Sequence, residues 1–220
     1  MADTQTVEVE TGPEPSASVI WLHGLGADGN DFAPIVPQLG VPADLGVRFI
    51  FPHAPAIPVT INNGFVMPAW YDIKQLDVER HVDDEQLRQS ASWVHDLIDR
   101  EVARGVSADR IIIAGFSQGG AVSFEAALTY GTALAGVLAL STYFPTADSI
   151  KIEPVQNSLP IFICHGSYDQ VVPEALGRKS VAILQNLGFV PEYTAYPMEH
   201  AVCPQEIQDI GAWINRILEG

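Results

Sequence analysis

The chain has 220 residues, of which 47% are hydrophobic, and this suits one domain with a sizeable core. Acidic side chains outnumber basic ones by 27 to 11, which gives a formal net charge of −16. Such a surface repels phosphate backbones, so the composition argues against a nucleic-acid-binding protein.

Residues 1–18 form an acidic, polar extension in which the alternating run TVEVE (6–10) predicts an edge strand. The extension lacks the basic start and apolar core of a signal peptide. No apolar run elsewhere approaches the ~20 residues that a membrane span needs. We therefore expect a cytoplasmic protein without stable membrane insertion. Two cysteines are too few for a disulfide framework, which agrees with that compartment.

Short apolar runs alternate with helical patterns along the rest of the chain. Several runs are apolar at nearly every position, as in strands buried on both faces of a parallel sheet, and the predicted strands are 18–24, 47–55, 110–117, 135–141, 160–166 and 191–197. Helical patterns cover 83–105, 117–129, 173–187 and 204–218. The apolar stripe of the first helix comprises Leu87, Ala91, Val94, Ile98 and Val102. This alternation predicts a three-layer α/β fold, with helices on both faces of a mostly parallel sheet, in a single domain over 1–220.

One long segment, 52–82, interrupts the alternation. It is punctuated by proline and glycine, yet it carries apolar side chains such as Phe65, Met67 and Trp70. A loop of this length inside a compact domain is usually functional. We expect the segment to pack over a site.

The stretch RIIIAGFSQGG (110–120) places Ser117 in a Gly-x-Ser-x-Gly pattern between a buried strand and a helix. Two interpretations compete, a serine that caps the helix and a nucleophile on a tight strand-to-helix turn. A dinucleotide-binding loop is a weaker alternative. The glycines at 24, 26 and 29 match its spacing, but the acidic residue that ribose binding requires does not follow the next strand.

A serine hydroxyl needs a base to become a nucleophile, and α/β-hydrolase sheets carry serine, acid and histidine in that chain order. Only His165 and His200 follow Ser117. His165 lies at a strand end, where a structural hydrogen bond is the expected role. His200 lies in the loop between the last strand and the last helix, so it is the expected base.

The acid is expected at Asp169, three residues beyond Gly166 at the end of strand 160–166. Open α/β sheets build their sites at the carboxyl ends of strands. Asp148, which follows the preceding strand, is the alternative. Both positions stay open on sequence grounds, with Asp169 favoured.

An oxyanion requires two N–H donors aimed at the developing negative charge. The residue after the nucleophile, Gln118, is expected to supply one from its backbone. The glycine-rich stretch HGLGADG (23–29) is expected to supply the other from Leu25, with a plain tight turn as the competing interpretation.

The sequence resembles the phospholipase/carboxylesterase family of small α/β-hydrolases, which includes bacterial carboxylesterases and acyl-protein thioesterases. The resemblance runs from about residue 19 to the carboxyl terminus and rests on LHGLGADGNDF, FPHAP, MPAWYDI, GFSQGGA, HGSYDQVVP and YPMEHAVCPQEI, in that order. It implies the α/β-hydrolase fold, a triad of Ser117, Asp169 and His200, and Leu25 and Gln118 as oxyanion donors.

The resemblance also implies that Trp70 lies beside the acyl or alcohol pocket. Glu199 departs from the family pattern, in which many members carry a glycine or an apolar residue before the histidine. A carboxylate at that position is expected to affect the proton affinity of the His200 imidazole or access to it, and does not change the assignment of His200 as the base.

About 18 residues separate strands 135–141 and 160–166, too few for a helical lid domain. We expect an open site walled by segment 52–82 with Trp70, Met67 and Phe65. Such a site suits a small-molecule ester or acyl-thioester with a short to medium acyl chain, and needs no metal or cofactor. The acidic surface favours a carboxylesterase over an acyl-protein thioesterase or lysophospholipase. A non-catalytic ligand-binding relative is disfavoured by the complete triad, and a homodimer is left open.

Overall fold

The computed structural model describes residues 5–75 and 81–219. Residues 1–4 of the predicted extension and 76–80 of segment 52–82 lie outside the described residues. The strands of the described chain are β1 (Thr6–Glu10), β2 (Ala17–Leu22), β3 (Val47–Pro52), β4 (Ala56–Val59), β5 (Phe65–Pro68), β6 (Ile111–Phe116), β7 (Gly136–Leu140), β8 (Ile161–Gly166) and β9 (Glu192–Tyr196). The α-helices are α1 (Asp84–Ala103), α2 (Gln118–Thr129), α3 (Glu174–Asn186) and α4 (Pro204–Glu219).

Seven strands form one sheet in the order β1-β3-β2-β6-β7-β8-β9. The edge strand β1 pairs antiparallel with β3, and every other neighbouring pair in this sheet is parallel. The predicted edge strand at 6–10 and the mostly parallel sheet are therefore confirmed. The predicted strand boundaries differ from the observed ones by a few residues at most.

Alternate side chains of each strand support two cores. Ile111 and Ile113 of β6 pack with α1, α2 and α3 on one face of the sheet. Ile112 and Ala114 pack on the other face with α4 and a 3₁₀-helix at Ala33–Gln38. All four side chains are fully buried, which is why this strand reads as a continuous apolar run. The three-layer α/β architecture is confirmed.

The apolar stripe of α1 is shorter than its sequence pattern. Leu87, Ala91, Val94 and Ile98 are buried as predicted, but Val102 is 43% exposed. Successive steps of four residues drift around a helix, so Val102 lies about 60° from Leu87. It therefore falls at the margin of the buried face in the last turn of the helix.

Segment 52–82 is not a plain loop, because β4 and β5 pair as an antiparallel hairpin. The connection runs through a 3₁₀-turn at Thr60–Asn62 and then Asn63 and Gly64, whose φ angles are 56° and 74°. Asparagine followed by glycine is favoured where two successive residues take positive φ. The hairpin is fastened to the loop after β2, since the Gly26 amide donates to the Pro68 carbonyl at 2.8 Å.

Residues 141–160 join β7 to β8 with one short 3₁₀-helix at Pro154–Gln156, so no lid domain is inserted at this point. The carboxyl ends of β6, β8 and β9 are consequently left accessible at one edge of the sheet. Within 5–75 and 81–219, no helix has the length and apolar character needed to cross a membrane.

Candidate active site

Ser117 occupies the sharp turn between β6 and α2. Its φ of 55° and ψ of −118° are angles that a residue with a Cβ rarely adopts. Flanking glycines allow the turn: a Cβ at Gly115 would lie 2.3 Å from the Gly119 carbonyl oxygen, and a Cβ at Gly119 would lie 2.5 Å from that of Leu22. The strained backbone holds the Ser117 side chain at the carboxyl edge of the sheet.

The Ser117 hydroxyl lies at the N-cap position of α2 but makes no capping hydrogen bond to that helix. Its Oγ instead lies 2.9 Å from Nε2 of His200. The other ring nitrogen, Nδ1, lies 2.6 Å from Oδ2 of Asp169. The helix-cap interpretation of the side chain is thus wrong, and the three residues predicted from chain order form one hydrogen-bonded chain.

Asp169 is held by its own turn. Its Oδ1 accepts hydrogen bonds from the amides of Val171, at 2.9 Å, and Val172, at 2.8 Å, which leaves Oδ2 for His200. Burial opposes ionisation of this carboxyl, but the bonds from His200 and the two amides outweigh it and hold the pKa of Asp169 below its ordinary range. An ionised Asp169 accepts Nδ1–H, so Nε2 presents a lone pair to Ser117.

Neither alternative residue takes part in this hydrogen-bonded chain, although Nε2 of His165 lies 3.7 Å from Oδ2 of Asp169. Asp148 is exposed in the loop after β7 and, within the described residues, makes no hydrogen bond to His200. His165 is fully buried, and its Nε2 lies 2.8 Å from the Val172 carbonyl. Because a carbonyl only accepts, the ring donates from Nε2. His165 therefore makes a structural hydrogen bond, and that bond reaches the turn that holds Asp169.

The amides predicted as oxyanion donors belong to Leu25 and Gln118. Leu25 follows β2 and Gln118 opens α2, and both residues line the cavity at Ser117. In the described parts of the chain neither amide has a backbone acceptor. The helix dipole adds a favourable field for an anion at Gln118. Two N–H groups are thus free to donate to a ligand oxygen.

The Gln118 side chain performs a role that sequence reasoning missed. Its Oε1 accepts from the Trp70 amide at 2.7 Å, and its Nε2 donates to the Tyr71 carbonyl at 2.6 Å. Ser90 of α1 donates to the Trp70 carbonyl. These bonds fix segment 70–71 against the start of α2. The sequence shows a glutamine directly after Ser117 but does not show that its side chain is buried.

Trp70 is buried, with 2% of its surface exposed, and lies beneath the loop after β2 rather than in the cavity. Its indole Nε1 donates to the His23 carbonyl at 2.8 Å. The His23 ring donates from Nδ1 to the Gly24 carbonyl and accepts the Ala54 amide at Nε2, at 2.7 and 3.1 Å. Burial lowers the pKa of His23, in agreement with this neutral ring. Trp70 and His23 together fix the loop that carries Leu25.

A cavity of about 240 Å³ opens at Ser117 and His200. Its wall is mainly apolar and includes Leu25, Ile61, Ile73, Phe116, Tyr143 and Val171. Phe116 also packs against the His200 ring, with 4.7 Å between centroids. Ser117 and His200 therefore border a space suited to an aliphatic chain.

The predicted pocket residues of segment 52–82 are not those that line this cavity. Phe65 is 69% exposed on β5, and Met67 is half-buried with its Sδ 3.2 Å from the side-chain Nδ2 of Asn62. With Trp70 buried below, the segment instead contributes Ile61 and Ile73. Phe65 and Met67, two residues apart, share one face of β5, and that face does not line the cavity. Ile61 lies in the 3₁₀-turn of the connection and Ile73 lies beyond β5.

A larger cavity of about 780 Å³ lies beside the first, and Tyr143 lines both. Charged side chains including Lys74, Asp83 and Lys179 line its wall. The smaller cavity is the candidate active site, because Ser117, His200, Leu25 and Gln118 all line it.

The chain matches the family described as Phospholipase/Carboxylesterase over residues 3–218. It is 40% identical over 214 residues to acyl-protein thioesterase 1 of Neurospora crassa, covering 92% of this chain and 87% of that protein. It is 36% identical over 206 residues to a protein of Oryza sativa subsp. japonica called a probable carboxylesterase, covering 91% and 77%.

A solved structure agrees in fold. The crystal structure of acyl-protein thioesterase 2 from Zea mays aligns with a TM-score of 0.86 at 27% identity, and the alignment covers 98% of this chain and 99% of that one. The family match covers nearly the whole chain, and the structural alignment shows that the fold is shared over nearly its whole length. The chain belongs to the phospholipase/carboxylesterase family.

Proposed function

We propose that this protein is a serine hydrolase that cleaves carboxylic esters through an acyl-enzyme intermediate. The observation that carries the proposal is the hydrogen-bonded chain from Ser117 through His200 to Asp169, which opens into an apolar cavity. This arrangement combines a nucleophile, a base and a group that orients the base.

Acylation begins when the Ser117 oxygen attacks the ester carbonyl carbon and His200 Nε2 takes the hydroxyl proton. Asp169 holds the ring through Nδ1–H and stabilises the imidazolium that forms. The oxyanion accepts hydrogen bonds from the amides of Leu25 and Gln118. The tetrahedral intermediate collapses, the bond to the leaving oxygen breaks, and His200 returns the proton to the leaving group.

Deacylation repeats the sequence with water in place of the serine. Water attacks the acyl carbon while His200 accepts its proton, and the same two amides stabilise the second oxyanion. Collapse of this intermediate releases the carboxylic acid, and the proton returns to Ser117. The enzyme is thereby regenerated without net change.

The cavity volume points to acyl chains of short to medium length. About 240 Å³ lies below the ~300–1,000 Å³ typical of pockets for drug-sized ligands. The apolar wall formed by residues such as Ile61, Ile73 and Val171 contributes binding energy for each methylene that it covers.

Thioester cleavage is the second candidate activity, and the relatives favour it. The proteins of Neurospora crassa and Zea mays are both named acyl-protein thioesterases. A thioester passes through the same tetrahedral intermediates and leaves as a thiolate, so the same residues would serve. An esterase releases a small alcohol, whereas an acyl-protein thioesterase releases a protein thiol that extends outside the cavity.

Ser117→Ala tests the proposed nucleophile. We expect the variant to lose labelling by a fluorophosphonate and to lose ester hydrolysis by ~10⁴-fold or more. Ser107→Ala is the matched control, because Ser107 is exposed at the opposite edge of the sheet. Labelling that persists in Ser117→Ala would contradict the assignment.

A series of p-nitrophenyl esters from acetate to palmitate, together with an S-acylated peptide, separates the candidate activities. A maximum of kcat/KM at short or medium chains supports the esterase, and faster cleavage of the S-acylated peptide supports the thioesterase. Absence of hydrolysis throughout would instead identify a ligand-binding relative without catalysis.

We further propose that the protein works in a reducing compartment, the cytoplasm. Both cysteines are free thiols, and Cys164 is fully buried, where burial raises its thiol pKa well above the ordinary value. A buried, protonated thiol is an inert packing group. Fractionation of the native host cells tests this placement, and recovery outside the cytoplasmic fraction would contradict it.

A further inference from the structure

The cavity at Ser117 carries a carboxylate that the hydrolytic steps do not use. Asp31, in the loop after β2, lines this cavity among otherwise apolar or uncharged groups. Within the described residues that line it, Asp31 and His200 are the only titratable side chains apart from Tyr143, and no lysine or arginine is present. A substrate bound at Ser117 therefore meets one negative charge and no fixed positive one.

Within 5–75 and 81–219, the only interaction recorded for the Asp31 carboxylate is an electrostatic one with the buried His23 ring. In the neighbouring Asp28, by contrast, Oδ1 accepts from the Asn30 amide at 2.7 Å and from the Asn30 side chain at 3.0 Å. The Asp31 backbone amide donates to the Asp28 carbonyl at 3.1 Å, but in the described parts of the chain the Asp31 carboxylate forms no hydrogen bond or ion pair. The side chain is exposed and stays available to a ligand.

Asp31 lines the cavity through which the leaving group would depart. His200 must pass its proton to the leaving atom, so the leaving group departs beside that ring. Phe116 packs against His200 at 4.7 Å and against Phe32 at 5.5 Å between ring centroids. Asp31 directly precedes Phe32 and lines the same cavity as Phe116 and His200. A leaving group that departs beside His200 therefore leaves through the cavity that Asp31 lines.

We propose that Asp31 selects substrates whose alcohol or thiol leaving group carries a positive charge. This inference rests on the proposed function and names the substrate class of the same site. The net charge of −16 acts in the same direction, because a strongly negative protein raises the local concentration of cations. The two effects are separable, since only the local one depends on Asp31.

The expected selectivity is modest, because an exposed ion pair in water is weak. We expect kcat/KM to favour a cationic leaving group about two- to five-fold over a neutral one of the same shape. The preference should fall as ionic strength rises, since salt screens charges that lie in contact with solvent.

The test compares choline butyrate with 3,3-dimethylbutyl butyrate, two esters that differ by the replacement of nitrogen with carbon. Wild type, Asp31→Asn and Asp109→Asn are assayed at low and at high salt. Asp109→Asn is the matched control: it removes the same charge from an exposed site at the amino end of β6, far from the cavity. We expect the cationic-to-neutral ratio of kcat/KM to fall in Asp31→Asn and to stay at the wild-type value in Asp109→Asn.

A second arm identifies the source of the cation. S-butyryl cysteine peptides flanked by lysine are compared with peptides flanked by glutamine, using the same three proteins. A preference for the lysine-flanked peptide that depends on Asp31 identifies a basic protein segment as the leaving group. A preference confined to the choline ester identifies a small cationic alcohol.

The outcomes distinguish this inference from the function on which it rests. If wild type hydrolyses both members of each pair and the ratio is the same in wild type and Asp31→Asn, the inference is overturned and the hydrolase stands. A ratio that falls equally in both variants also overturns it, because net charge alone would then account for the preference. If wild type hydrolyses none of the compounds, the proposed function itself fails.

Discussion

The backbone of Ser117 has an unfavourable conformation, with a positive φ, because the surrounding structure imposes it. The residue precedes α2 with a positive φ, yet its hydroxyl turns away from the helix and toward His200. Strain of this kind costs ~1–3 kcal/mol and persists where the fold over-determines it. Here the close approach of Gly119 to the carbonyl groups of Leu22 and His23 fixes the turn.

Surrounding groups also fix the buried ring of His165, which makes no hydrogen bond to Ser117 within the described residues. Its ring is fully buried and donates to the Val172 carbonyl, while the Val172 amide donates to Asp169. The ring fits because residue 177 is glycine: a Cβ there would lie 2.3 Å from Nδ1 of His165. His165 is therefore a positioning residue for the turn that holds Asp169.

His165→Phe is predicted to reduce kcat/KM roughly 10- to 100-fold, because Asp169 loses the fixed orientation that aligns His200. It should also cost about 1–3 kcal/mol of stability, since the buried Val172 carbonyl loses its donor. Both quantities are measured, kcat/KM at a temperature well below the melting transition and stability by urea unfolding.

His95→Phe serves as the control for that variant. His95 of α1 makes the same kind of bond, from Nε2 to the Ala126 carbonyl at 2.8 Å, without contact with Asp169. It should lower stability and leave kcat/KM close to wild type. Equal kcat/KM in the two variants would show that His165 is structural only.

Chain order and strand ends pointed to Ser117 and His200 and favoured Asp169 over Asp148 without excluding the latter, because these positions depend on topology. The roles of Trp70 and Gln118 side chains were out of reach. Each depends on the direction in which a side chain leaves a loop, and a sequence pattern with no regular period does not determine that direction. The catalytic assignment itself stays a prediction until Ser117→Ala is tested.

At the scale of elements, regular periodicity decided what could be predicted. Strands such as β6 are apolar throughout because both faces are covered, and they were recognised. The β4–β5 hairpin was missed, although the Asn63-Gly64 pair is a strong hairpin signal. Its short strands contain or adjoin proline, at Pro58 and Pro68, which weakens their strand pattern.

Helix α4 contains a carboxyl group whose burial makes stability depend on pH. Glu206 is fully buried in its first turn. Burial is the main cause that raises its pKa to about 8, repulsion from Asp209 adds to it, and a long bond from the Cys203 amide opposes it. In the described structure its Oε1 has no hydrogen-bond partner, as suits a protonated acid.

Glu206→Gln is predicted to stabilise the protein increasingly as pH rises from about 4.3 to about 8. In that window the unfolded chain has lost the Glu206 proton and the folded chain retains it, so wild-type stability falls with pH. The difference between variant and wild type should grow by up to about 1.4 kcal/mol per pH unit. Urea unfolding at pH 5, 6.5 and 8 measures it.

Glu219→Gln, an exposed change at the other end of α4, is the matched control and should show a much smaller dependence. A constant difference between Glu206→Gln and wild type across this range would contradict a buried, protonated Glu206.

On the scale of the whole molecule, the net charge is −16, yet the carboxylate of Glu101 is paired with arginines in an ion-pair network. Glu101 of α1 is fully buried, and its carboxylate accepts bonds from Ser18 at 2.7 Å and from Arg48 and Arg104 at 2.8 Å each. Glu8 of β1 joins the network through Arg104. Four elements, β1, β2, β3 and α1, are thus connected at the edge of the sheet opposite to the active site.

Glu101→Gln is predicted to destabilise the protein by ~3–5 kcal/mol, because Arg48 and Arg104 would lose a buried counter-charge, and this should lower Tm by about 10 °C. Burial opposes ionisation of Glu101, but its three donors keep the pKa below the ordinary range. The loss of stability in Glu101→Gln relative to wild type should therefore narrow as pH falls below about 4.3.

If 1–220 is a single domain, near-UV and far-UV circular dichroism and esterase activity of Glu101→Gln should all shift together in one transition. Glu85→Gln, at an exposed position of the same helix, should leave Tm within about 2 °C. A variant that loses the β1 edge in a separate, earlier step would contradict the single cooperative unit.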